Sequence, residues 1–211
     1  MAVSKPGQKS DWKDGFLFLG NHLALDFLNT CPVQNGEAVE LLPDFEALLR
    51  WFQSGGLLGS REVGSLRQDW GESVRAQHVL EAMRELREKL RKEILSMERG
   101  GAVHRATIDE LNHLMAEHPM LTRLKTSGSG SARELWFDPR RPEDLVAPLA
   151  HSAAILFAEL DRNRLRKCGQ CVLHFYDTSK KGTRRWCSMQ MCGNRLKVAA
   201  YAARRRAIDR N

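Results

Sequence analysis

Four of the five cysteines fall close together near the C-terminus, as Cys168 and Cys171, then Cys187 and Cys192. The first pair is C-x2-C, a spacing that suits a tight turn aiming both sulfurs at one ion. The second pair is C-x4-C, and the fifteen residues between the pairs are enough for a short hairpin that brings them together. Four thiolates close a tetrahedral zinc site with no open position, so the expected metal is one structural Zn2+ per chain. Two disulfides would need an oxidising compartment. A redox C-x2-C usually sits beside a strand–helix unit. An iron–sulfur cluster also takes four cysteines, but this stretch is rich in Arg and poor in apolar cover. His174, three residues past Cys171, is read as a packing or solvent-facing residue rather than a ligand.

The residues after Cys192 are the second chemical signal. Gly193-Asn194-Arg195 opens a run of Ala, Lys and Arg with helical character. A knuckle, a hairpin and a helix carrying the last ligands make a treble-clef-like finger. Arg195, Ala199, Ala202 and Arg206 share one helical stripe, with the two arginines about 16 Å apart along the axis. Small residues between cations leave that stripe low enough to approach a nucleic acid. The DNA-contact candidates are Arg184, Arg185, Arg195, Lys197, Arg204, Arg205 and Arg206. A solvated basic face is the plain alternative. RNA binding by the same helix is another, disfavoured by the few aromatic residues in the tail. Trp186 is assigned to the finger core rather than to base stacking, and Asn194 to helix capping in preference to a base contact.

The stretch RRWCSMQMCGNRLK resembles the CGNR zinc-finger family, through Cys192-Gly193-Asn194-Arg195 and the cysteine spacing. Upstream, NHLALDFLNT (Asn21 to Thr30) resembles the LDF-NT signature of the ABATE domain, which precedes this finger in that family. The resemblance implies a bacterial, stress-related transcription regulator that binds DNA.

Charge is divided unevenly. Residues 162–211 hold 14 Lys/Arg and 2 Asp/Glu, a net of +12; the first 161 hold 19 and 24, a net of −5. A basic module on an acidic body suits phosphate contacts from the module alone, although the same asymmetry could dock the tail on its own body or on a partner subunit. No apolar run is long enough to span a membrane, and the polar start lacks the apolar segment of a signal peptide. The expected location is the cytoplasm, with reduced thiols.

The elements that must position these residues follow from periodicity. Residues 1 to about 14 are expected to be disordered. In Asn21 to Thr30, Leu25 and Leu28 share one helical face, and Leu23 and Phe27 a neighbouring one. Asp26 and Asn29 then sit as polar residues in an apolar element. They either tie the neighbouring loop or, with His22, line a pocket for a small effector. His22 and Asp26, at i,i+4, would also be the acid–base pair of an enzymatic alternative, but no nucleophile motif, phosphate-binding glycine loop or catalytic metal set accompanies them. Cys31 reads as a small buried residue.

An extended piece is expected at Ala38 to Leu42. Helices are expected from Asp44 to Gly55, from Ser60 to Trp70, from Ser73 to Arg99, and after a Thr107-x-x-Glu110 capping box whose buried face includes Ile108. Leu121 to Lys125 and Arg133 to Phe137 predict a β-hairpin around SGSGS. A last helix begins near Pro142 to Pro148, and residues 162–167 connect body to finger. The expected fold is mainly α with a small β-hairpin: a helical sensor or dimerising domain over 1–161 and a finger over 162–211.

Overall fold

The computed structural model describes residues 12–34 and 36–194. The described residues open with a hairpin, β1 (Trp12–Lys13) against β2 (Phe16–Leu17), so the expected disorder does not hold over 12–14; residues 1–11 lie outside the described residues. A short helix, α1 (Leu23–Leu28), follows, then a second small hairpin of β3 (Val33–Gln34) and β4 (Glu37–Ala38). The extended piece therefore lies mostly ahead of Ala38 to Leu42 rather than over it.

Three helices come next. Asp44 caps α2 (Phe45–Ser54) by accepting the Ala47 N–H at 2.7 Å. The second, α3, runs Ser60–Trp70. Ser73 caps α4 (Val74–Glu98), accepting from the Ala76 N–H at 3.1 Å. These bounds match the apolar periodicity because each cap is local. The next helix departs from expectation. It is α5 (Arg105–Glu117), which starts at His104. Thr107 lies inside it and donates its hydroxyl to buried Glu93 at 2.6 Å instead of capping. Ile108 is 45 % exposed.

The long hairpin pairs β5 (Leu121–Ser127) with β6 (Gly130–Trp136) and is mostly exposed. A 3-10 turn at Pro142–Val146 leads into α6 (Ala147–Ala158), which places Pro148 in the first turn, where a missing N–H costs nothing.

The apolar side chains form two cores in the body. One gathers Phe27, Phe45, Trp51, Phe52, Leu80 and Met83; the other gathers Ala24, Leu25, Leu28, Leu90, Ile94 and Leu156. The two faces of α1 thus feed different cores, Phe27 into the first and Leu25 and Leu28 into the second. Trp51 is the hub of the first, with Phe27 at 5.6 Å and Phe52 edge-on at 5.1 Å between ring centroids.

Arg87 occupies a core-facing position on α4 and is 3 % exposed. It donates to Glu40 and, at 2.9 Å, to the Thr30 hydroxyl. Burial opposes both charges, yet their mutual bonds hold Glu40 below and Arg87 above their ordinary values. Among the described residues no helix is long and apolar enough to cross a membrane.

Candidate metal centre and its seat on the body

The connector expected at 162–167 is a 3-10 turn, Arg162–Arg164, followed by the first strand of the finger. Strand β7 (Leu165–Lys167) pairs antiparallel with β8 (His174–Tyr176), and the Cys168–Cys171 knuckle is the turn between them. The hairpin therefore flanks the first cysteine pair rather than bridging the two pairs. The Cys168 N–H donates to Leu173 O at 2.8 Å and closes the knuckle. Val172 sits within it at φ +56°, an unusual place for a β-branched residue.

Of the second pair, Cys192 stands on a one-turn π-helix, Met189–Gly193, and Cys187 lies two residues ahead of it. Ser188 is its cap, accepting from the N–H groups of Gln190 and Met191 at 3.1 and 3.3 Å. Asn194 follows this turn with helical backbone angles and is exposed; the basic helix it was expected to cap lies outside the described residues. A Cβ on Gly193 would meet Met189 Sδ at 2.7 Å and Trp186 Cδ1 at 3.3 Å, which gives the glycine of Cys192-Gly193-Asn194 a packing reason.

The four sulfurs lie within 4.8 Å of one another. Cys171 and Cys187 are 3.4 Å apart, and Cys187 and Cys192 3.7 Å. A tetrahedral zinc with Zn–S near 2.3 Å has S···S edges of about 3.8 Å, whereas a disulfide needs about 2.05 Å. The donor set fits the ion in number, type and spacing.

Its electrostatics agree. The hydrogen bond between Cys171 and Cys187 pulls Cys171 down to about 5 and pushes Cys187 far above the usual thiol range. Burial, then the neighbouring sulfur of Cys171, pushes Cys192 up to about 12. Four thiols this close do not all ionise by themselves, and a divalent cation removes the conflict. Cys168, Cys187 and Cys192 are buried and Cys171 half-buried, so the site is closed and structural. One zinc holds this finger.

The loop joining the pairs is organised by a residue that the sequence reading passed over. Asp177 is fully buried and accepts from the N–H groups of Ser179 at 2.9 Å and Arg184 at 2.7 Å. Burial opposes its charge, but the Ser179 and Arg184 donors outweigh it and hold the carboxyl below its ordinary value. The Asp-x-Ser pattern of an Asx turn is the local signal that could have found it.

Three cations turn inward onto backbone carbonyls. Arg164 donates to Asp177 and Ser179, both at 2.9 Å, and Arg166 to Gly182 at 2.7 Å. Arg184 donates to Cys187 O at 2.6 Å and lies over the Phe175 ring. Arg184, selected from sequence as a DNA contact, thus already has partners inside the finger. Arg185 is exposed beside the half-buried Trp186 ring, 5.2 Å from its centroid. Lys180 and Lys181 are exposed on the loop and were not selected from sequence. Arg195, Lys197, Arg204, Arg205 and Arg206 lie outside the described residues.

The three residues proposed for a ligand pocket have other partners. The Asn29 side chain donates to His174 O at 2.8 Å and accepts from the His174 N–H at 3.1 Å. Asp26 accepts the Gly20 N–H at 2.7 Å. His22 approaches Ser152 Oγ at 3.3 Å, and burial lowers its pKa. His22 and Asp26 turn to different partners, so the acid–base pairing is not formed. Asn29 ties body to finger, and Asp26 ties the loop before α1. A cleft of about 470 Å³ between body and finger is lined instead by Trp12, Val33, Gln170, Val172 and Met191, among others. His174 is buried, with Nε2 3.0 Å from Glu98 on α4.

A helical body carrying a closed four-cysteine finger defines a zinc-finger protein of modular type. Residues 21–160 match the ABATE family, described as "Putative stress-induced transcription regulator", and residues 164–205 match the CGNR zinc finger. The chain belongs to the ABATE family, with the CGNR finger following in the expected order. No curated protein matches it.

Proposed function

We propose that the chain regulates transcription by binding double-stranded DNA through its finger, with residues 1–161 and 162–211 as body and reader. The observation that carries this reading is the concentration of charge: net +12 on residues 162–211 against −5 on the rest. Electrostatic attraction to phosphates then acts at one end of the molecule. Arg162, Lys167, Lys180, Lys181 and Arg185 are exposed cations of the described part of the finger. Arg195, Lys197, Arg204, Arg205 and Arg206 extend the set by sequence, with Arg195, three residues after Cys192, as the base-reading candidate. A body of this kind suits the sensing of an effector or the pairing of two copies. Neither matched family is an enzyme family, in keeping with a regulator.

The test is a salt titration of binding to a duplex selected from a random library and to its scrambled form. Log affinity is expected to fall linearly with log salt, by about 0.9 per phosphate contact. Arg185→Ala is expected to lower that slope by about one. Arg184→Ala is expected to weaken the finger itself, by about 1–3 kcal/mol, because buried carbonyls lose their donor. Equal binding of the two duplexes at every salt concentration overturns sequence-specific regulation. No binding at low salt overturns the DNA reading altogether.

A further inference from the structure

The signature segment around α1 has no part in the metal site, yet it meets the finger at several points. Strand β8 has β7 on one side only. Its outward backbone groups go to the body. The His174 C=O and N–H pair with the Asn29 amide at 2.8 and 3.1 Å. Two residues on, the Tyr176 N–H donates to Gly20 O at 2.8 Å, and the Tyr176 C=O accepts from Asn21 Nδ2 at 2.9 Å. The body therefore takes the place of a third strand, built from two side-chain amides and one carbonyl. A two-stranded ribbon is marginal alone, and a covered edge is what stabilises it.

The geometry of the segment serves this contact. Asn21 adopts φ +54°, a conformation that Asn tolerates better than most residues. Gly20 packs so closely on α1 that a Cβ would lie 2.7 Å from Leu25 Cβ and 2.8 Å from the Asp26 N. Asp26 holds the Gly20 N–H and so fixes the peptide whose neighbouring carbonyl receives Tyr176. Two attachment points, two residues apart on a strand, are separated by about 6.6 Å. One point would be a pivot; two fix rotation as well.

We infer that Asn21, Asp26 and Asn29 are positioning residues for the finger, which set the orientation in which the body presents it. Where the consequence is DNA recognition, the inference rests on the function proposed above.

The experiment uses full-length, zinc-loaded protein as wild type, Asn29→Ala and Asn21→Gly; the glycine keeps the left-handed backbone and removes only the amide. Hydrogen exchange followed by mass spectrometry reads the His174 and Tyr176 N–H groups directly, beside zinc content and the melting of the body. The expected result is one zinc per chain in every variant, exchange at residues 174–176 faster by about tenfold or more, and weaker binding to the selected duplex with an unchanged salt slope. Unchanged exchange at 174–176 in both variants overturns the inference. Faster exchange with unchanged duplex affinity overturns the positioning role. If Asn29→Ala loses its zinc, Asn21→Gly, altered at an exposed position, decides. If wild type binds no duplex, the DNA reading fails, and the exchange result still decides whether the latch holds the finger.

Discussion

The body and the finger reach stability by different routes. The body buries Trp51, Phe52, Phe27 and a long series of leucines in two cores. The finger cluster contains Leu173, Phe175 and three cysteines, and its other two buried leucines, Leu17 and Leu19, come from the body. Where apolar burial is ample, caps and side-chain periodicity suffice. Where it is scarce, the chain relies on ligation, on inward-facing arginines and on a buried carboxylate. Among its described residues the finger is thus incomplete in two respects, drawing on the body for part of its core and for the cover of its strand edge.

The sharpest way to break this contrast is to remove the metal. Structural zinc contributes on the order of 10 kcal/mol or more to small fingers. Chelation of the full-length protein is expected to abolish exchange protection in residues 165–192 while α2, α3 and α4 stay protected. Loss of protection in those helices would show that the body leans on the finger as much as the reverse. The mirror experiment is Phe52→Ala, expected to destabilise the body by about 3–5 kcal/mol with zinc stoichiometry unchanged.

A smaller effect tests the junction. Burial raises the Asp26 pKa from its ordinary value to about 7, against the opposing influence of the Gly20 N–H and of Lys13. The native state therefore binds this proton more tightly than the unfolded chain does. The linked stability is complete below about pH 4 and is lost as pH rises toward 7. Asp26→Asn, which still accepts from Gly20, is expected to flatten that decline. Its advantage over wild type should grow to on the order of 2 kcal/mol between pH 5.5 and 7.5, allowing for solvent near the half-buried carboxyl. Urea melts of both proteins at the two pH values measure it. A constant difference would assign the carboxyl an ordinary pKa.

The smallest expected effect lies in the knuckle. Val172 has φ +56° and is 41 % exposed, so glycine there relieves strain at little cost in burial. The gain of about 1–2 kcal/mol from the backbone is partly offset by about 0.5–1 kcal/mol of added chain entropy. Val172→Gly is expected to slow zinc transfer to a chelator slightly. Faster transfer would mean that the side chain packs against the metal site more than its exposure indicates.

What could be read in the sequence was whatever is decided locally. Asp44 and Ser73 mark helix starts because the groups they cap lie three residues away. The four cysteines declare the metal because no other arrangement of thiols suits that spacing as well. What the sequence left unread shares the opposite property. Thr107 looked like a cap, but Glu93, on another helix, takes its hydroxyl. Arg184 looked like a free cation, but folding of the loop brings it to the Cys187 carbonyl. Asn29 looked like either a tie or a ligand contact, and its partner stands 145 residues along the chain. Composition reveals that a buried amide must be satisfied; it does not say by what.

That separation sets a clock on synthesis. At about 5–20 residues per second, a nascent chain makes Asn29 roughly 7–30 s before His174 exists to receive it. The helices of the body, whose contacts are nearer in sequence, have time to form first. The α1 segment meanwhile keeps its amides in water and its seat for β8 open. The part of the body made earliest is thus finished last, when the knuckle emerges and takes its ion.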